Sequence, residues 1–141
     1  MHPFGDTLTD TDIRALFQAA HGWEDRYKTL IKLAKQLPPL AAEHKVEANA
    51  IHGCESQAWL LSEQDEQGIW QFHCDSDARI VKGLMAVVLA ALSNKTSAQI
   101  QAFDMDAYFA ELQLLQHLSP SRGNGLRAVV DAIKDNVRSE E

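Results

Sequence analysis

The chain has 141 residues, 45% of them hydrophobic, with 13 Lys and Arg against 20 Asp and Glu, and a formal net charge of -7. A chain of this size can bury about two-thirds of the surface that its unfolded form exposes, so one domain over 1–141 is expected without a disulfide or structural metal. The negative charge disfavours nucleic acid and anionic membrane surfaces as direct partners.

The apolar runs are too short for a membrane-spanning helix. The longest, at 84–92, falls well below the roughly 20 residues that a span requires. The N-terminal segment "MHPFGDTLTD" has neither the basic region nor the apolar stretch of a signal peptide. We therefore expect a cytoplasmic protein in which Cys54 and Cys74 are free thiols.

Two helices are predicted before residue 40. Thr9 and Asp12 form a capping-box pattern, after which apolar residues recur at helical spacing up to Ala20. A second apolar stripe, which starts at Trp23 and includes Tyr27, must end by "LPPL" at 37–40 because proline cannot continue a helix. We expect the aromatic residues of this stripe to lie in the core.

The pattern then changes to that of strands. Two strand-like runs, near 56–62 and 69–74, are separated by a polar segment that ends in Gly68, which predicts a β-hairpin. Trp59 in the first run is expected to be a core residue. A short extended piece at 48–52 is a candidate third strand, and it would place "HGC" in the connecting loop.

The remainder of the chain is predicted to be helical. The segment "SDARIVKGLMAVVLAAL" is apolar on nearly all sides, which indicates a buried helix. Thr96 and Gln99 form a second capping box, Asp106 is placed to cap "AYFAELQLL", and a last amphipathic helix follows from about Leu126. Helices around a small antiparallel sheet of about three strands give an α+β fold.

Cys54 lies in "NAIHGCESQAW" between turn-forming residues. A free cysteine is often only a small buried hydrophobe, but Gly53 before it and Ser56 after it favour a loop, where a thiol can meet another molecule. His52 could assist the thiolate, whereas Glu55 opposes it. The pattern indicates a cysteine that reacts in a complex rather than one strongly activated on its own.

Two alternatives use the same cysteine. A thiol-dependent hydrolase would need a histidine base beside Cys54, and no local signature of such an enzyme is present. A zinc site could draw on His52, Cys54, His73 and Cys74. Since His73 and Cys74 are adjacent in a strand and point to opposite faces, at most three of these ligands could converge.

Four segments together resemble the SufE-like sulfur acceptors, the group that includes SufE and CsdE. They occur in the family's order and spacing over roughly 13–134: "WEDRYKTLIKLAKQLPPL", "IHGCESQAWLL", "DSDARIVKGLMAVVL" and "HLSPSRGNGLRAVVDAI". The opening "HPFGDTLT" is closer to the CsdE branch, and "DSDARIVKGL" and "HLSPSR" are closer to the SufE branch. The sequence does not decide between these two branches.

The resemblance implies a two-layer SufE/IscU-like fold and an accessory protein rather than an enzyme. A partner cysteine desulfurase, which holds pyridoxal phosphate, would remove sulfur from L-cysteine as a persulfide. Cys54, the cysteine of the family's GC motif, would accept that sulfur and pass it to an iron-sulfur assembly scaffold or another sulfur-using protein. This chain would need no cofactor of its own, and it could be a monomer or a homodimer.

Other matching positions have two interpretations each. Arg122 either lines the partner surface or the Cys54 site, or anchors the start of a helix. Asp75 and Asp77 either contact the desulfurase or cap the buried helix, and Glu55 and Gln57 either touch the partner or face solvent. Where the family commonly has glycine this chain has Cys74, and where it commonly has valine this chain has Ala58, so Cys74 inherits no role from the resemblance.

Overall fold

The structure is a computed structural model and describes residues 2–53 and 56–139, without the side chain of Ser139. Three short 3₁₀ turns, Ala42–His44, Glu47–Asn49 and Leu115–His117, lie between the main elements. In chain order these elements are α1 (Asp10–Gln18), α2 (Gly22–Gln36), β1 (Ala58–Gln64), β2 (Ile69–Ser76), α3 (Arg79–Leu92), β3 (Lys95–Thr96), α4 (Ser97–Ala102), α5 (Met105–Leu112) and α6 (Pro120–Ser139).

The predicted hairpin is confirmed. Strands β1 and β2 pair antiparallel, with Leu60 opposite Cys74. In the connecting turn, Gly68 has φ +82°, a value that glycine adopts without strain. The carboxylate of Asp65 accepts hydrogen bonds from the backbone N–H groups of Gln67 and Ile69, both at 2.9 Å, and this local bonding fixes the turn.

The prediction of a third strand at 48–52 is wrong. Residues 47–49 form a 3₁₀ turn, and only Ala50 makes an isolated bridge, to Trp59 of β1. The third strand is instead β3, which pairs antiparallel with the start of β2. Asn94, whose backbone lies in the left-handed region, turns the chain there and donates its N–H to the carbonyl of Trp70 at 2.8 Å.

Local capping fixes several helix starts. The carboxylate of Asp12 accepts the N–H of Thr9 at 2.9 Å, and the hydroxyl of Thr96 accepts the N–H of Gln99 at 3.2 Å, so both predicted capping boxes are confirmed. Helix α2 ends at Gln36, before the proline pair, as predicted.

The predicted cap of α5 is wrong by two residues. Asp104 is the N-cap, and its carboxylate accepts the N–H of Ala107 at 3.0 Å. Asp106 already lies inside the helix, where a first-turn carboxylate can favour the helix dipole but cannot accept that bond. Because α4 and α5 are close together in the chain, the sequence alone allows either Asp104 or Asp106 as the N-cap of α5.

Helix α3 forms the centre of the core. Every residue from Ile80 to Leu92 is buried except Lys82, which confirms the prediction of a buried helix. Helix α2 packs closely on it at Gly83, where an added Cβ would lie 2.4 Å from the carbonyl oxygen of Leu30. A side chain at position 83 would therefore push the two helices apart.

The aromatic residues of α2 and β1 are less buried than predicted. Tyr27 is 45% exposed, so its assignment to the core is wrong. Trp23 and Trp59 are partly buried. Tyr27 follows the helical period of the apolar stripe, but its ring is exposed and lies edge-on to that of Trp23 at 6.5 Å.

Candidate functional site

The candidate acceptor, Cys54, and its neighbour Glu55 lie outside the described residues. Their flanks are described on both sides. His52 and Gly53 form an exposed turn before them, and Ser56 and Gln57 lead from them into β1. Gly53 has φ +94°, a conformation that a residue with a side chain adopts only with strain. The local sequence thus places a glycine where the backbone requires one.

The turn before Cys54 lies against helix α6. An added Cβ at Gly53 would be 3.5 Å from the Cβ of Ala128. Between this turn and the helix is an open hollow of about 490 Å³, with an apolar part formed by Ile51, Ala128 and Ala132 and polar groups along its rim. His52 also lines this hollow and is exposed, with its Nε2 3.4 Å from a carboxylate oxygen of Glu47.

The segment after Cys54 is held by the β2–α3 junction. The carbonyl oxygen of Gln57 accepts two hydrogen bonds, from the hydroxyl of Ser76 at 2.7 Å and from the N–H of Asp77 at 3.2 Å. The side chain of Gln57 is exposed. On the other side, the N–H of Ile51 donates to the carbonyl of Ala58 at 2.8 Å. These hydrogen bonds fix the described residues on both sides of positions 54 and 55.

Arg122 lies in the first turn of α6, because this helix begins at Pro120 and not at about Leu126 as predicted. The helix begins there because Ser119 caps it, with its hydroxyl accepting the N–H of Arg122 at 3.3 Å, and because Pro120 suits a first helical position. The exposed Arg122 helps to line a small cavity of about 210 Å³ together with Ser56 and Ala78. Within residues 2–53 and 56–139, its guanidinium donates to no carbonyl, which argues against the helix-anchoring interpretation.

Asp75 is a buried ion-pair centre and not a helix cap. One carboxylate oxygen lies 3.1 Å from Nζ of Lys45 and accepts the N–H of Leu40 at 3.0 Å. The other oxygen lies 3.3 Å from Nζ of Lys82 and accepts the N–H of Ser76 at 2.8 Å. The N-cap position of α3 belongs to Ala78, and neither predicted carboxylate cap is formed. Asp77 is exposed, as a residue that contacts a partner would need to be.

The surroundings of Asp75 set its charge. Burial alone would raise the pKa of the carboxyl group, but the hydrogen bond from Lys45, the two backbone N–H groups and the charge of Lys82 outweigh it and hold the pKa below its ordinary value. Lys45 also places its ammonium 5.2 Å from the ring centroid of Trp59 in β1. Lys45, which Asp75 holds in place, thereby links the segment after α2 to β1.

Cys74 is an inert core residue. Its side chain is buried opposite Leu60, and its thiol is free. Burial raises the pKa of the Cys74 thiol far above its usual range, and the neighbouring charge of Asp75 raises it further. A thiol that neither meets solvent nor ionises cannot serve as a nucleophile at neutral pH.

The residues of the alternative zinc site do not gather in the described part of the chain. Cys74 faces the core, while the ring of His73 lies on the opposite face, 5.6 Å from that of His2. His52 pairs with Glu47 instead. Across residues 2–53 and 56–139, no group of three or more His, Cys, Asp or Glu side chains is placed to hold a metal ion. The described residues therefore give the zinc site no support.

The sequence did not predict the contacts that three serines make near the site. Ser76 binds the carbonyl of Gln57, Ser119 caps α6, and Ser56 lines the cavity with Arg122. The Ser-Pro pair at 119–120 is a usable signal for a helix start. The role of Ser76 depends on a contact between β2 and the loop that no local pattern encodes.

The fold defines a class of small α+β proteins in which a β-hairpin and the last helix lie next to the described turn at His52 and Gly53. A family model described as "Fe-S metabolism associated domain" (SufE) matches residues 11–137. The chain belongs to the SufE family, and its α+β fold with a three-stranded antiparallel sheet confirms the predicted class.

Relatives of known sequence or structure agree with this assignment. The sulfur acceptor protein CsdE of Escherichia coli (strain K12) is 47% identical over 132 residues, covering 94% of this chain and 90% of that protein. The solution structure of a hypothetical protein from Thermus thermophilus matches with a TM-score of 0.73 over 92% of this chain and 93% of the other, at 20% identity, and supports the fold. Among the described residues, no helix is both long and apolar enough to span a membrane.

Proposed function

We propose that this chain is a sulfur acceptor, which takes persulfide sulfur from a cysteine desulfurase on Cys54 and carries it to a second protein. Membership of the SufE family, with a relative named as a sulfur acceptor protein at 47% identity, carries this proposal. The protein acts in the cytoplasm as an accessory to the desulfurase rather than as an enzyme. Its downstream receiver is an iron-sulfur assembly scaffold or another sulfur-using protein.

The transfer is a thiol exchange. The thiolate of Cys54 attacks the terminal sulfur of the donor's persulfide, and a new S–S bond forms at Cys54 as the donor's S–S bond breaks. The donor's cysteine leaves as a thiolate and takes up the proton that Cys54 released. No net oxidation or reduction occurs, and pyridoxal phosphate stays on the desulfurase, so this chain requires no cofactor.

The geometry around the loop supports a carrier that shelters its sulfur. Cytosolic thiols would reduce an exposed persulfide by the same exchange that forms it. The hollow beside Gly53 offers an apolar recess at Ile51, Ala128 and Ala132. We propose that a persulfide on Cys54 is sheltered in the free protein and becomes accessible when a partner docks, with Gly53 as the hinge.

Sheltering has a measurable consequence for thiol reactivity. In a Cys74→Ser background, Cys54 is expected to react with iodoacetamide more slowly than a thiol in an unfolded peptide, because apolar burial raises a thiol's pKa and limits access. Binding of the desulfurase should accelerate labelling. Fast labelling of the free protein that the desulfurase leaves unchanged or blocks would contradict sheltering without affecting the acceptor role.

The acceptor role itself is tested by intact-mass measurement. After incubation with a cysteine desulfurase and L-cysteine, the chain is expected to gain the mass of one sulfur atom, and a thiol reductant should remove it. Samples that lack either the desulfurase or L-cysteine serve as controls. An unchanged mass in the complete mixture, with an active desulfurase, would reject the proposed function.

A further inference from the structure

Helix α2 carries a group of basic side chains on its exposed face. Lys28, Lys32 and Lys35 follow one another at helical spacing, and Arg79 at the start of α3 lies beside them. These four cations, with the exposed Tyr27 and the partly buried Ile31, line an open hollow of about 490 Å³. We call these six residues the basic patch.

The charge of the basic patch is largely unneutralised. Lys28 has one carboxylate nearby, that of Glu24 at 3.9 Å. For Lys32, Lys35 and Arg79, no carboxylate of residues 2–53 and 56–139 lies within the 4.0 Å of an ion pair. The chain as a whole has a net charge of -7, so the basic patch is opposite in sign to the rest of the molecule.

The basic patch also adjoins the loop that carries Cys54. Arg79 directly follows Ala78, and Ala78 shares the small cavity with Ser56 and Arg122. A protein seated over the loop can therefore reach the basic patch across the start of α3. Exposed cations around an aromatic side chain form a surface suited to an acidic, partly apolar protein segment.

We propose that the basic patch docks an acidic segment of the cysteine desulfurase and so orients the donor over Cys54. This proposal rests on the proposed function and adds to it the surface that recognises the donor. Nucleic acid and anionic membranes fit less well, because an extended polyanion would also meet the negative charge that dominates elsewhere on this chain. A short acidic protein segment meets only the basic patch.

The test compares two variants with the same change in charge. Lys32→Glu/Lys35→Glu reverses the basic patch, whereas Lys95→Glu/Arg138→Glu reverses two cations on β3 and at the end of α6. The rate of sulfur transfer to Cys54 is measured over a range of chain concentrations and at low and high salt. Thermal unfolding of each variant checks that both fold.

The basic-patch variant is expected to raise the half-saturating concentration about tenfold and to flatten its dependence on salt, because surface charges act mainly on association. Its maximal transfer rate should match that of the unchanged chain. The control variant should shift neither quantity appreciably, and Lys32→Gln/Lys35→Gln should give a smaller shift in the same direction.

Other outcomes overturn the proposal. Equal shifts in both charge-reversal variants would show an effect of net charge alone, and a lower maximal rate at unchanged half-saturation would show that docking is not what the basic patch provides. Binding of duplex DNA or phosphatidylserine vesicles that the basic-patch variant abolishes, with sulfur transfer intact, would assign a different occupant. A failure of sulfur transfer in the unchanged chain would instead reject the proposed function.

Discussion

Replacing Cys54 by serine is expected to abolish sulfur acceptance and the stimulation of the desulfurase. A hydroxyl group cannot form a persulfide, and Cys74, the other cysteine of the chain, is buried with a strongly raised pKa and cannot substitute. The measurements are the mass gained by the chain and the rate of alanine release by the desulfurase in its presence. In the serine variant the chain should gain no mass, and alanine release should fall to the rate of the desulfurase alone.

The matched control is Cys74→Ser. Because Cys74 lies in the core opposite Leu60, the serine hydroxyl would be buried among apolar side chains and would cost about 1–3 kcal/mol in the free energy of unfolding. Sulfur acceptance by the folded protein should remain close to normal. Equal loss of sulfur acceptance in the two variants would contradict a single acceptor at Cys54.

Replacing Asp75 by asparagine is expected to cost about 3 kcal/mol in the free energy of unfolding. The substitution removes the charge that pairs with Lys45 and Lys82, and breaking a buried ion pair from one side typically costs about 3–5 kcal/mol. The lower end applies because both lysine side chains retain some exposure to water. Chemical denaturation at neutral pH measures the effect.

Asp77→Asn provides the control for this prediction. Asp77 lies two residues further on, is exposed, and does not cap α3, so its substitution should change the free energy of unfolding by less than about 0.5 kcal/mol. A similar loss in the two variants would show that net charge, and not the ion-pair centre, is responsible.

The contribution of Asp75 should also depend on pH. The folded pKa of Asp75 lies below its ordinary value, so the unfolded chain binds the proton more readily and acid favours unfolding. The stability difference between the unchanged chain and Asp75→Asn should be constant above about pH 5 and shrink as the pH falls below about 4. A difference that stays constant down to acid unfolding would contradict the assigned charge state.

Most of the helices and the hairpin could be predicted because their signals are local. Apolar periodicity located α3 and α6, capping residues located the starts of α1 and α4, and the proline pair located the end of α2. Strand β3 could not be predicted because it has only two residues, and its pairing depends on the position of the edge of β2 after the chain folds.

Around the site, too, features set by neighbouring residues could be predicted, and features set by distant residues could not. Gly53 could be predicted to lie in a turn from its type and its neighbours. Asp75 resembled a helix cap because it precedes α3, but its partners Lys45 and Leu40 come from a segment some 30 residues earlier. Tyr27 follows the helical period of α2, yet its burial depended on whether another element covers that side.

The location of the transferred sulfur tests the central claim most directly. After sulfur transfer from the desulfurase, persulfides are trapped with an alkylating reagent, the chain is digested, and the modified peptide is sequenced by mass spectrometry. The account predicts one persulfide, on Cys54, and none on Cys74. A persulfide on Cys74, or full stimulation of the desulfurase with no persulfide on Cys54, would contradict it.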